Sequence, residues 1–140
     1  MKNLFAKTSL RIAMGLVVLL SVTTASAETV GRFQIPFQFL MGDKVLPAGD
    51  YTVKIDTANM KIQLSSWEGS GSVNLTANTP HRAVTNTGKL VFHKYGRVLA
   101  LREMWRSGAN YGHELTTTKA EREIAEHARA HSTFEIVSIR

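Results

Sequence analysis

The chain has 140 residues, with 17 Lys and Arg against 11 Asp and Glu, a formal charge of +6, and no cysteine. Lacking cysteine, it has no disulfide, no lipid-modified N-terminal cysteine, no thiolate nucleophile and no thiolate metal site. The length suits one small domain with a single hydrophobic core, whose stability must come from packing.

The chain begins as an address. Lys2, Lys7 and Arg11 form a basic start, residues 12–22 are almost wholly apolar, and Ala25-Ser26-Ala27 places small residues before Glu28. This is the pattern of a cleavable signal peptide over residues 1–27, so the product is expected to be exported, to the periplasm or outside the cell. The apolar run is about half the roughly 20 residues that a spanning helix needs, and the mature domain is not expected to span a membrane. The signal peptide itself would engage the export machinery. Cleavage after Ala27 leaves Glu28 to Arg140, 113 residues with 14 basic against 11 acidic side chains. These charges are interleaved, whereas a polyanion-binding face needs clustered positive charge, so no nucleic-acid partner is expected.

Along the mature chain, Phe33, Ile35, Phe37, Phe39 and Met41 alternate with polar residues and Pro36, as in a strand with one buried face. Pro36 lacks an N–H for a sheet ladder and marks this strand as irregular or at an edge. Gly42-Asp43-Lys44 and Leu46-Pro47-Ala48-Gly49-Asp50 read as turns. Tyr51, Val53 and Ile55 define the next strand, Ile62 and Leu64 another, and Val73 and Leu75 a third after a Ser/Gly loop around Trp67. Residues 77–88 are polar and turn-rich, with at most a brief strand near 83–85. Residues 90–95 and 98–105 form the most apolar late segments and read as a hairpin turning at Gly96-Arg97. A loop over residues 106–112 follows. Thr118 with Glu121 fits a capping box, and residues 119–131 lack Pro and Gly, which predicts a helix. On it Ala120, Ile124, His127, Ala128 and His131 share a face, and Lys119–Glu123 and Arg122–Glu126 are spaced as ion pairs. A last strand is expected over residues 133–139. About seven or eight short antiparallel strands with one late helix indicate an all-β sandwich or small barrel. The ten aromatic residues from Phe33 to Phe134, Trp67 and Tyr111 among them, are the material for its core.

Two stretches taken together resemble a family of small exported bacterial β-rich proteins. The front half is Ile35-Pro36-Phe37-Gln38-Phe39, Gly42 and Leu46-Pro47-Ala48-Gly49-Asp50-Tyr51-Thr52-Val53; the back half is Leu90-Val91-Phe92-His93-Lys94-Tyr95-Gly96, Glu103-Met104-Trp105, Gly112-His113-Glu114-Leu115 and Lys119-Ala120-Glu121-Arg122-Glu123. The resemblance implies export and a β fold. It implies no catalytic residue, because the family has no assigned activity. Arg97-Val98 departs from the polar and aromatic pair expected after Gly96, so no aromatic role carries over to the hairpin tip.

Two residue groups carry candidate chemistry. Glu123, His127 and His131 stand one turn apart on the predicted helix, a spacing that permits a metal site, although the motif is common in charged helices and no HExxH accompanies it. His93 and Tyr95 share one side of their strand, and Glu103 and Trp105 share a side of the next with Leu99 and Leu101. With Tyr111, His113 and Glu114 from the following loop, they offer a base, acids, a phenol and a flat apolar wall. His93, Glu103, His113 and Glu114 are the catalytic candidates, and Tyr95, Trp105 and Tyr111 the ligand-binding ones. No nucleophile motif accompanies them. The leading expectation is therefore a non-catalytic exported β domain, a binding or structural module for an unknown ligand or protein, with no cofactor. Its rivals are a small metal-dependent or acid/base enzyme using His93, Glu103 and His113, and a barrel carrying an apolar ligand in a cavity lined by Phe33, Phe37 and Phe92.

Overall fold

A computed structural model describes residues 27–79, 86–128 and 131–137. The proposed signal segment before Ala27, His81 and the brief strand near 83–85 lie outside these residues. No helix among them is long and apolar enough to cross a membrane.

The described chain forms ten strands and one helix: β1 (Glu28–Ile35), β2 (Phe39–Met41), β3 (Lys44–Leu46), β4 (Gly49–Asp56), β5 (Lys61–Ser65), β6 (Ser70–Thr79), β7 (Lys89–Tyr95), β8 (Val98–Trp105), β9 (Gly112–Leu115), α1 (Lys119–His127) and β10 (His131–Val137). The fold is all-β with one late helix, as the alternation predicts. Its strand number is higher in part because the run from Phe33 to Met41 breaks at Pro36, leaving β1 and the three-residue β2 on either side, and because Lys44 and Leu46, expected in turns, belong to β3. β2 then turns through Gly42-Asp43 into β3, with Met41 paired to Lys44. Gly42 adopts φ +64°, which a residue without Cβ accepts at little cost.

One sheet runs β1-β4-β5-β6, all antiparallel. Ser70 to Asn74 of β6 pair with β5, and Leu75 to Thr79 pair with β9, with a register shift between Leu75 and Ala77. β6 therefore belongs to both sheets. The second sheet continues β9-β8-β7-β10. The edge of β8 that carries β9 at Glu103 to Trp105 also takes β2, in parallel, at Ala100. The sheets face one another across the core.

The inner face is filled by every second residue of the strands. Phe33, Ile35, Tyr51, Val53, Ile55, Ile62 and Leu64 come from the first sheet, and Leu90, Phe92, Leu101, Met104 and Leu115 from the second. Burying a side chain of this size contributes about 1.5–3 kcal/mol. Phe92 lies edge-on to Phe37 (5.2 Å) and Phe39 (5.4 Å), and Phe39 edge-on to Tyr51 (5.5 Å). Phe37 and Phe92, expected in the carrier reading to line a cavity, thus fill the interior with each other's rings, and Phe33 is fully buried in the same core. The Tyr51 hydroxyl donates to Pro47 O at 2.8 Å, and burial pushes the phenol pKa up. Trp67 is no part of this interior: it is 100% exposed.

The helix begins as its capping box predicts, with Thr118 Oγ1 accepting from Glu121 N at 3.3 Å. It stops at His127 rather than 131. Ala128 leaves helical geometry (φ −81°, ψ 128°), and the chain must extend so that His131 pairs with Tyr95 as β10 opens. The last strand accordingly starts two residues earlier than the expected Thr133. β9 also falls where no strand was expected, at the end of the loop.

Phe92→Ala is expected to lower unfolding free energy by about 3–5 kcal/mol, because it removes the ring that both Phe37 and Phe39 pack against. Urea denaturation followed by circular dichroism measures this.

Candidate functional site: a buried charge cluster beneath the helix

The site originates in a β-bulge. In the β7–β8 hairpin Val91 pairs with Glu103 and Phe92 with Leu101, so Arg102 is an extra residue with no partner across the ladder. A bulge shifts the alternation by one residue. Leu101 and Met104 therefore both face the core although they are three apart, while Glu103 and Trp105 turn to the outer face. The expectation that Glu103 and Trp105 share a side with Leu99 and Leu101 is corrected by this extra residue. Trp105 Nε1 donates to Glu103 Oε2 at 2.8 Å, and the Lys89 ammonium lies 5.5 Å from the indole centre.

Arg102 projects on the outer face into the space beneath α1. Its Nη1 donates to Glu121 Oε2 at 3.3 Å and its Nη2 to Glu114 Oε1 at 2.8 Å. Arg102 is 7% exposed and Glu121 only 3%. Tyr95 extends the cluster: its hydroxyl donates to Glu121 Oε1 at 3.2 Å, and the same oxygen lies 3.2 Å from His93 Nδ1. A phenol has one proton, so with that proton given to Glu121 the His93 Nδ1–H is the donor in the second contact. Burial, followed by the Glu121 charge and hydrogen bond, raises the Tyr95 pKa and keeps the phenol protonated. The apolar stripe expected on α1 is thus not its anchor: Glu121 is buried, while Ile124 is only partly so.

Beside the cluster an open cleft of about 590 Å³ separates α1 from the hairpin turn, bounded by Tyr95, Gly96, Ala120, Glu123, Ile124 and His127. It holds two of the three metal candidates but not as a triad. His131 is not on the helix, and His127 Nδ1 lies 2.6 Å from Glu123 O while Glu123 Oε1 pairs with Lys119 at 3.6 Å. Among the described residues no three His, Cys, Asp or Glu are placed to hold a metal ion.

The catalytic candidates are divided by the sheet. His93, Glu103 and Glu114 belong to the outer face, whereas His113 pairs with Met104 and shares its inward side. Its ring meets Tyr111 edge-on at 5.5 Å, is 5% exposed, and has no hydrogen-bond partner at either nitrogen. Burial, with Arg106 nearby, lowers the His113 pKa below its ordinary 6.5. Tyr111 therefore packs with His113, while Tyr95 pairs with Val98 beside the hairpin turn and Trp105 with Lys89 at its far end, so the three ligand-binding candidates stand apart. Arg106, just past the end of β8, pairs with Glu28 at 2.8 Å.

The cluster has little chemistry to offer a substrate. Glu121 is sealed and doubly bonded, Arg102 is held between two carboxylates, and burial keeps the Tyr95 phenol protonated. What it does is tie α1 to the sheet. The signal for it in the sequence is Arg102 itself, a charge inside one of the two most apolar late segments, which must find a carboxylate if it is buried. No protein-family model, curated protein or solved structure matches the chain.

Two outcomes are expected. Glu121→Ala should destabilise the domain by about 3 kcal/mol, because it strands a buried guanidinium beside the half-exposed Glu114; chemical denaturation measures it. For His113, the folded pKa lies below the unfolded one, so only the unfolded chain gains a proton as pH falls through about 6.5, and stability should fall with it. In His113→Phe that part of the pH dependence should vanish, with neutral-pH stability equal or higher because two unpaired nitrogens are gone.

Proposed function

We propose that the domain is exported by its N-terminal segment and acts in the periplasm or outside the cell as a non-catalytic binding or structural module. The observation that carries this reading is the use made of the reactive side chains. His93, Tyr95, Arg102, Glu114 and Glu121 are engaged in holding the helix, and Glu103 is bonded to Trp105. His113, the remaining catalytic candidate, is enclosed on the opposite side. A general acid or base must reach the proton that it moves, and these groups reach each other instead.

The export pattern in the first 27 residues supports the compartment, and a chain without cysteine depends on its packed core there. Fractionating cells that express the full chain, followed by N-terminal sequencing, should find the product beyond the inner membrane beginning at Glu28. Purified protein should give no hydrolytic or redox turnover with generic ester, phosphoester, peptide and glycoside substrates. Turnover that is lost in folded His93→Ala or Glu103→Ala would overturn the reading.

A further inference from the structure

The loop between β5 and β6 is stiffened by its own hydrogen bonds. Ser66 N donates to Gly69 O at 2.9 Å, and Ser66 Oγ accepts from Glu68 N (3.0 Å) and Gly69 N (3.2 Å) while lying 2.9 Å from Glu68 Oε2. At its apex Trp67 stands fully in solvent. An indole contacting nothing forgoes the stabilisation that burial would give so large an apolar surface, yet the loop is built to hold it out.

Next to this loop lies a polar groove. Its first part, about 630 Å³, is lined by Asp43, Lys44, Gln63, Ser65, Ser70 and Ser72. Past Asp43 and Ser72 it continues into a depression of about 290 Å³ reaching Lys61, Asn74 and Thr118. The groove follows the half of β6 that pairs with β5, beside the β2–β3 hairpin, and Lys44 Nζ reaches across to Ser70 O. Its walls mix hydroxyls and amides, one carboxylate and two amines with the apolar side chains of Met41, Leu64 and Val73. The near balance of charge disfavours a polyanion, and the alternation of polar and apolar wall suits a ligand that carries both kinds of surface.

We propose that this groove binds a neutral glycan, with Trp67 as the stacking platform at its end. A pyranose ring offers what such a surface lacks: an apolar C–H face for the indole and a row of hydroxyls that both donate and accept hydrogen bonds. The proposal rests on the domain being a binding module, and gives that module a ligand class.

The experiment titrates the mature protein with cellohexaose and with the hexamer of β-1,4-linked N-acetylglucosamine, following tryptophan fluorescence and heat. Trp105 is buried, so a change on binding reports Trp67. Saturable binding of at least one sugar is expected, with a blue shift of the emission. Trp67→Ala should weaken binding at least tenfold in a protein of unchanged stability, since the ring has no contacts to lose, and Gln63→Ala combined with Ser72→Ala should weaken it as well. Binding of neither sugar, or equal binding by Trp67→Ala, overturns the proposal. It also fails if unstructured peptides shift the Trp67 emission and the sugars do not. If the bound sugar is cleaved, seen as new reducing ends, the non-catalytic reading fails while the glycan site stands; absence of both binding and cleavage removes the glycan site alone.

Discussion

A guanidinium cannot be enclosed in protein without carboxylates to meet it, and the upper half of this molecule is arranged around that requirement. Arg102 enters through a bulge, in a strand whose other residues except Glu103 are apolar. Because it is enclosed, Glu114 of β9 and Glu121 of α1 are drawn to it, and Glu121 in turn accepts a hydrogen bond from the Tyr95 hydroxyl. The helix lacks a wide apolar stripe, so without this pairing little would fix it over the sheet. One inserted residue thus accounts for the position of α1, for the cleft beside it and for the inward turn of Met104.

The sheet content was legible because alternation of large apolar residues has one physical cause, a strand with one wet face. Tyr51, Val53 and Ile55, or Ile62 and Leu64, sit inside as their spacing requires. The start of the helix was legible for a similar reason, since Thr118 has a local partner in the Glu121 N–H. Its end was not, because it is set by the need to begin β10 opposite Tyr95, a contact far away in sequence. β9 was missed because four residues with Gly112 and Glu114 among them show no pattern by themselves; their place comes from β6 and β8 on either side.

The candidate site was legible in part. His93 and Tyr95 do meet, as neighbours on one strand face. Glu103 turns away from Leu101 because a bulge leaves no mark in an apolar run and each residue beyond it changes face, whereas His113 faces inward because β9 sets it beside Met104. Arg102, which causes the displacement, was the visible clue. Trp67 belongs by residue type to the core, and only the folded loop shows it to be excluded.

That β6 belongs to both sheets bears on how the chain acquires its structure. The core cannot close on the first sheet alone, since its opposite wall is made from β7, β8 and β9, and even Glu28 at the start of β1 finds its partner in Arg106, 78 residues later. Contacts so distant are slow to form, because a long loop must be ordered before they repay its entropy. The first half of the polypeptide would remain loose until the second arrives, so the two sheets close together and neither is a scaffold for the other.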